Sequence, residues 1–400
     1  MFFYQQLEND LYRIGVNDRR TARFENMFPM PDGVSYNSYL IKDEKKVLFD
    51  TVDASFINDF YSNLNHALGE DKLDYLVITH MEPDHSSAIN MVLKDHPDCK
   101  LVGNKKTFQF LEQFFGDEFK DRYLEVKNGE TLEIGKRTLE FIFAPMVHWP
   151  EVMFVLSSEG ELFSADAFGT FGAIEGHYSS DLIDMDRAFI DEARRYYINI
   201  VGKQGRSVIA ILKKLEGKEV KMILPLHGPI HRQKDKIEYF IEKYKTWGSF
   251  ESEEDGVLIA YSSMYGNTEE AADMLAYELS ENGVKNIHIY DVSEYDYSYI
   301  ISDAHKFSNF VYTAINYNTD LYPRMDAFLR ELVGTGFQNR KVSVITNMSW
   351  GGRAEKIAEE ILESSKLEKI GETISLKSSL DEEKAAEIKE LAKAIADSMK

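Results

Sequence analysis

From residue 257 onward the chain alternates short apolar runs, rich in β-branched residues, with longer stretches of helical period, and few folds can satisfy that alternation. The runs at 257–261, 286–290, 309–313 and 341–346 read as strands, with a closing strand near Thr373. Segments 269–282, 322–333, 353–363 and 381–399 read as helices. Strands joined through helices run parallel, because the crossover returns the chain to the same end of the sheet. This part is expected to be a doubly wound parallel α/β sheet.

The alternation has a sharp start. Residues 246–255 lose any apolar period and turn acidic, the signature of a linker. Two domains are expected, over residues 1–250 and 256–400, since 400 residues exceed what one hydrophobic core serves. The first reads as layered α/β: a hairpin of strands 38–41 and 46–49, a buried strand at 75–79, further strands at 131–134, 139–143 and 153–156, a helical stretch over 184–215, and a strand at 221–224.

Polar residues that packing does not explain gather where these strands end. His80, Glu82, Asp84 and His85 follow the 75–79 strand within six residues. So many chelating side chains on one loop favour a metal pair over a single ion, and the two carboxylates favour a hard, redox-active metal such as iron over zinc. His148 lies between Pro145 and Pro150, whose rings stiffen the backbone. Asp166 and His227 also follow strands. They add three ligands at one sheet edge, where α/β folds place their sites. His66, His96, His288 and His305 read instead as surface or loop residues, and His177 is ambiguous.

Charge and composition narrow the function. A net charge of -22 argues against nucleic-acid binding, which needs clustered cations. No run approaches the roughly 18 consecutive apolar residues of a membrane span, and the stretch from Met1 to Gln6 has no leader pattern. A cytoplasmic protein is expected. The single cysteine, Cys99, excludes an internal disulfide or a four-cysteine cluster, so any metal must be held by His, Asp and Glu.

Ser262, Ser263, Met264, Tyr265, Gly266, Asn267 and Thr268 join the first strand of the second domain to its helix. Hydroxyls, a glycine and free amides at a helix amino terminus form a phosphate cradle without a cation. This loop resembles the phosphate loop of flavodoxins. His80, Glu82, Asp84, His85, His148, Asp166 and His227 resemble the ligand set of the metallo-β-lactamase-like domain of flavodiiron proteins, a family the chain resembles from end to end. Zinc members of that superfamily carry histidine where this chain has Glu82.

The resemblance implies an N-terminal metallo-β-lactamase-like αββα sandwich followed by a flavodoxin-like sheet. It implies two iron ions per chain, the first on His80, Glu82 and His148, the second on Asp84, His85 and His227, with Asp166 bridging. Flavin mononucleotide (FMN) would lie between Ala314, Ile315, Asn316, Tyr317 and Asn318 on one side and Met348, Ser349, Trp350, Gly351 and Gly352 on the other, with Tyr317 and Trp350 offering aromatic faces. Two departures concern the ring contacts: Thr313, Ala314 and Ile315 replace the family's serine-proline-threonine run, and Ser349 stands where a glycine is common. Trp149 and Phe168 are expected to line a dry pocket near the irons, and Tyr197 to donate a hydrogen bond there. The implied reaction is reduction of dioxygen to water, of nitric oxide to nitrous oxide, or both. Electrons would arrive from a rubredoxin or reduced deazaflavin, and a head-to-tail homodimer, or a tetramer built from it, would bring flavin to iron. A zinc hydrolase of the β-lactamase or glyoxalase type, fused to a flavin electron-transfer module, is the alternative.

Overall fold

The computed structural model describes residues 4–8 and 10–400; Met1, Phe2 and Phe3 of the leader reading lie outside it. The chain divides into two compact units. One takes the chain up to Tyr197 together with Arg206–Lys245; the other takes Ile198–Gly205 and Thr246–Lys400.

In the first unit two sheets pack face to face. One has seven strands in the order Gln5–Gln6, Leu11–Arg13, Tyr39–Lys42, Lys46–Phe49, Tyr75–Val77, Lys100–Gly103, Tyr123–Glu125, antiparallel as far as Lys46–Phe49 and parallel after it. The other has five: Thr131–Glu133, Thr138–Phe143, Met153–Ser157, Glu161–Phe163 and Met222–Leu224. The period of two along each strand sends Tyr39, Ile41, Val47, Phe49, Val77 and Val102 of the first sheet against Phe141, Met153, Val155, Phe163 and Leu224 of the second. Phe49 stacks on Phe163 with ring centroids 3.6 Å apart. The opposite face is equally apolar: Leu40, Leu48, Leu76 and Leu101 are fully buried, as in strands covered on both sides.

The second unit is the expected parallel sheet. Its main strands run Ile287–Asp291, Glu254–Tyr261, Phe307–Tyr317, Lys341–Asn347, Ile374–Leu376 across the sheet, with every pairing between them parallel. Strand order reverses beside Glu254–Tyr261, leaving a crevice at the carboxyl ends on that side. Asn267–Glu281 and Glu382–Asp397 pack Leu275, Leu279, Ile388, Leu391 and Ile395 against Val257, Ile259, Val311 and Ile345.

Three expectations change. The helical stretch over 184–215 is broken into Met185–Ala188, Ile190–Tyr196, a π turn at Tyr197–Val201, a 3-10 turn at Gly202–Gln204 and Gly205–Leu215. The break falls on β-branched Ile198, Ile200 and Val201 followed by two glycines, a weak helical stretch. Nor is 246–255 a solvated spacer, since Lys234–Gly248 is helical and Trp247 is buried with its indole N–H donating to Glu253 (2.7 Å). His96 and His305 are buried rather than superficial. His305 bonds Thr335 through Nε2 at 3.0 Å, and burial drives its pKa well below the usual imidazole range. Among the described residues no helix is long and apolar enough to cross a membrane.

Candidate metal centre and flavin cavity

Seven side chains from four strand-end loops of the first unit converge. His80 lies just beyond Tyr75–Val77, where Asp50 holds the backbone, accepting from the N–H of Thr79 (2.8 Å) and of His80 (3.2 Å). Glu82 precedes a short helix, Pro83–Ser86, which has proline in its first turn and carries Asp84 and His85. Asp166 follows Glu161–Phe163 in a tight turn with Ala165 and Phe168 in the left-handed region (φ 48° and 67°). His227 follows Met222–Leu224, and its loop is bracketed by Asn37, whose amide donates to Pro225 O (2.8 Å) and Gly228 O (2.9 Å) and whose backbone N–H donates to Leu226 O (2.7 Å).

The ligand atoms form two groups. His148 Nε2 lies 3.0 Å from Glu82 Oε2, and His80 Nε2 lies 3.1 Å from that oxygen and 3.3 Å from His148 Nε2. His85 Nε2 and His227 Nε2 are 3.0 Å apart, with Asp84 Oδ2 at 3.2 and 3.4 Å from them. Asp166 faces both: its Oδ2 is 3.1 Å from His148 Nε2, its Oδ1 3.2 Å from His85 Nε2. The groups His80, Glu82, His148, Asp166 and Asp84, His85, His227 each bring their ligand atoms within 4.8 Å of one another.

The hydrogen bonds behind the rings fix their tautomers. His80 Nδ1 meets the Glu151 carboxylate at 2.8 Å, and His227 Nδ1 meets the Ser35 carbonyl at 2.9 Å. Both partners only accept, so each Nδ1 carries a proton and Nε2 is the ring nitrogen turned to the cluster, the one left to ligate once its own proton leaves. Burial disfavours charge on His80, His85 and His148, but the carboxylates outweigh it, holding His85 up at about 10 and His148 at about 9. Glu82, Asp84 and Asp166 are driven low by the same histidines. Protons thus stand where cations would.

Those residues fit a dinuclear metal centre. Both oxygens of Asp84 and Asp166 Oδ1 are buried without a hydrogen bond, a costly arrangement unless something else occupies the lone pairs. Three carboxylates oppose the four positive charges of two divalent ions. Aromatic rings close the site: Trp149 edge-on to His80 (5.3 Å), Phe24 edge-on to His227 (5.4 Å) and Tyr196 beside His227 (5.4 Å). A cavity of about 400 Å³, lined by Phe24, Glu25, Tyr36, Glu82 and Asp84 among others, opens onto the carboxylates.

Tyr196, not Tyr197, faces the centre. Its fully buried hydroxyl has no hydrogen-bond partner, and burial together with Asp166, Glu82 and Asp84 raises its pKa far above the usual phenol value. Tyr197 packs edge-on to Tyr244 (4.8 Å). Phe168 stacks on Tyr244 (4.4 Å), whose hydroxyl accepts from the Phe168 N–H, while His231 Nε2 donates to the Phe168 carbonyl at 3.1 Å. His177 is exposed. Glu151, Ser35, Asn37, Tyr196 and His231 escaped sequence reasoning. Glu151, the acid just beyond Trp149 and Pro150, and Tyr196, next to Tyr197, are the ones whose neighbourhood gave a hint.

In the second unit a cavity of about 290 Å³ lies at the carboxyl ends of the strands. Ser263, Met264, Tyr265, Asn267 and Thr268 line it, as do Ile315, Asn316, Tyr317, Asn318, Met348, Ser349, Trp350 and Gly351. Ser262, Gly266, Ala314 and Gly352 stand behind it. The Ser262 N–H donates to Thr313 Oγ1 (2.9 Å), Ala314 is buried within Phe307–Tyr317, and Gly266 (φ 89°) caps Asn267–Glu281. A Cβ on Gly352 would come within 1.7 Å of Asn316 Oδ1, so only glycine fits there. Asn347, which begins the second of the expected ring loops, lines the cavity too, and Thr319 and Ser378 line it beyond the residues expected. The cavity suits a flavin phosphate: its loop opens a 15-residue helix, and the Ser262 hydroxyl is buried without a partner. Tyr265 is 89% exposed and Trp350 76%, large rings with nothing over them.

The profile of the ODP family beta-lactamase matches residues 34–228, and that of flavodoxin matches residues 259–397. The chain is 30% identical over 368 residues to the anaerobic nitric oxide reductase flavorubredoxin of Pectobacterium carotovorum, an alignment covering 90% of this chain and 71% of that protein. Its fold matches the rubredoxin oxygen:oxidoreductase of Desulfovibrio gigas with a TM-score of 0.92 and 27% identity, over 99% of this chain and 98% of that one. It matches the flavodiiron protein of Giardia intestinalis with a TM-score of 0.93 and 25% identity, over 100% and 97% of the two chains.

Proposed function

This chain belongs to the flavodiiron protein family, and from that premise we propose that it reduces dioxygen to water, nitric oxide to nitrous oxide, or both. The observation that carries the reading is Asp166, one carboxylate offering a separate oxygen to each of two ligand groups, in a chain that also holds a flavin cavity. The family's cofactors are two iron ions and FMN; together they can hold the four electrons that dioxygen needs to become two waters, while two nitric oxide molecules need two. We assign His80, Glu82 and His148 to one iron, Asp84, His85 and His227 to the other, and Asp166 to both.

The protein's own groups set the conditions. Glu151 and the Ser35 carbonyl keep Nε2 of His80 and of His227 aimed inward. The Tyr196 phenol stays protonated, so it serves as a hydrogen-bond donor beside the carboxylates and not as a base. Phe24, Trp149 and Tyr196 keep water from the ligand rings, which strengthens every charge interaction inside. A zinc hydrolase gives the flavin cavity nothing to do and is set aside.

The electron donor is a rubredoxin, the choice that the names of the relatives support, or a reduced deazaflavin, and the working form is a cytoplasmic head-to-tail homodimer. The test is to load iron and FMN, reduce anaerobically, and mix with dioxygen and with nitric oxide separately in a stopped-flow instrument. Rapid reoxidation with gas consumption is expected, and the faster gas is the substrate. Reoxidation by both gases no faster than that of free FMN would refute the reading.

A further inference from the structure

Four loops meet at the flavin cavity where three were expected. The fourth is the segment after Ile374–Leu376, which brings Ser378 to the wall. We propose that Ser378, paired with Ser349, binds the ribityl chain of FMN.

The cavity lining contains no Lys, Arg, Asp or Glu, so a polyol must be recognised by neutral groups. Ser349 Oγ and Ser378 Oγ lie 2.8 Å apart. In such a pair one O–H is spent on the neighbour while the other stays free, next to unused lone pairs. That side-by-side donor and acceptor complements a sugar-alcohol hydroxyl, which must also give and take.

Position agrees with chemistry. The Asn347 carboxamide accepts from the Ser378 N–H (3.0 Å), donates to the Ser378 carbonyl (2.9 Å) and reaches Thr268 Oγ1 at 3.2 Å. Ser378 is therefore one amide away from the phosphate loop, while Ser349 adjoins Trp350 on the ring side. The pair thus stands between the phosphate loop and Trp350, where the ribityl chain of a bound flavin nucleotide would run. Ser378 is held in the left-handed region (φ 71°), which few non-glycine residues adopt without outside constraint. Here Asn347 grips both sides of its peptide.

The inference rests on the flavin reading of the cavity, and lumiflavin, which has the ring and no ribityl chain, separates the two. The full-length protein stripped of flavin is titrated with FMN, riboflavin and lumiflavin by fluorescence quenching, as wild type, Ser378→Ala and Ser349→Ala. Each variant should bind FMN and riboflavin about three- to tenfold more weakly, the loss of one net hydrogen bond, and lumiflavin within about twofold of wild type. Unchanged FMN affinity, or an equal loss for lumiflavin, would overturn the assignment and leave the serines as a loop staple. Wild-type protein that fails to bind FMN would overturn the flavin reading and this inference together.

Discussion

Glu151 shows how a residue that is no ligand can decide what a ligand is. Its carboxylate takes the His80 Nδ1 proton bond at 2.8 Å and the Met81 N–H at 2.9 Å, while Asn104 donates to its carbonyl at 2.5 Å. Glu151→Ala removes the oxygen that accepts both bonds together with the negative charge. We expect iron affinity to fall by about ten- to a hundredfold, the usual cost of losing such a partner, with FMN content unchanged; metal analysis against a chelator series measures it. Asp166→Ala should lose at least one iron and abolish gas reduction while flavin absorbance stays, and two retained irons with full turnover would refute the bridge. His231 makes a different prediction. Burial pushes its pKa down to about 4, so between there and the ordinary value near 6.5 the unfolded chain binds a proton that the folded chain refuses. Its contribution therefore worsens as pH falls through that window, by on the order of 2 kcal/mol from pH 6.5 to 5. Urea unfolding of His231→Gln should show a flatter acid limb than wild type; identical limbs would discard the account. The seven side chains that converge were legible because polar groups after apolar strands have no packing excuse. Ser35 was not: its contact with His227 spans 192 residues, and nothing local marks it.

At the scale of elements, strand ends were readable and helix breaks were not. A continuous helix over 184–215 satisfies the apolar spacing, and on it the sequence reading picks Tyr197 where the structure turns the neighbouring Tyr196 to the centre. Consecutive residues point about 100° apart on a helix, so the choice depends on how Ile190–Tyr196 is rotated. Tertiary packing sets that rotation, and the π turn at Tyr197–Val201 then falls on the β-branched residues that follow. The flavin loops carry a clearer constraint at Gly352. Asn316 Oδ1 accepts from the Ala354 N–H at 3.1 Å, satisfying a free donor at the start of Ala354–Leu362, and its amide reaches Asn347 O at 3.4 Å. The Cβ of Gly352→Ala would displace that side chain from both bonds. FMN affinity should drop by about tenfold or more, on the order of two hydrogen bonds, while iron content holds. Flavin absorbance and metal analysis on one preparation decide it, and an unchanged flavin content would show that Asn316 can yield cheaply.

At the scale of the molecule, the parallel sheet was legible because alternation dictates it, and the two-sheet sandwich was legible only through its ligands, since its short strands admit several topologies. Each candidate site is complete within one unit: the seven ligands fall within the first, and the whole flavin cavity within the second. Each cofactor should then stabilise its own unit. Iron replaces the protons that otherwise neutralise a buried cluster of carboxylates, and a ligand held at a hundred times its dissociation constant stabilises by about 2.7 kcal/mol. For units of this size that is a shift of roughly 5 to 10 °C in melting temperature. Calorimetry should resolve two transitions. Chelating the iron should lower the one that coincides with loss of near-ultraviolet signal from the aromatic rings around His80 and His227, and leave the other in place. Stripping FMN should do the reverse, lowering the transition that releases flavin fluorescence in the holoprotein. A single transition moved equally by both treatments would mean that the units unfold as one body, and that neither site belongs energetically to the unit that contains it.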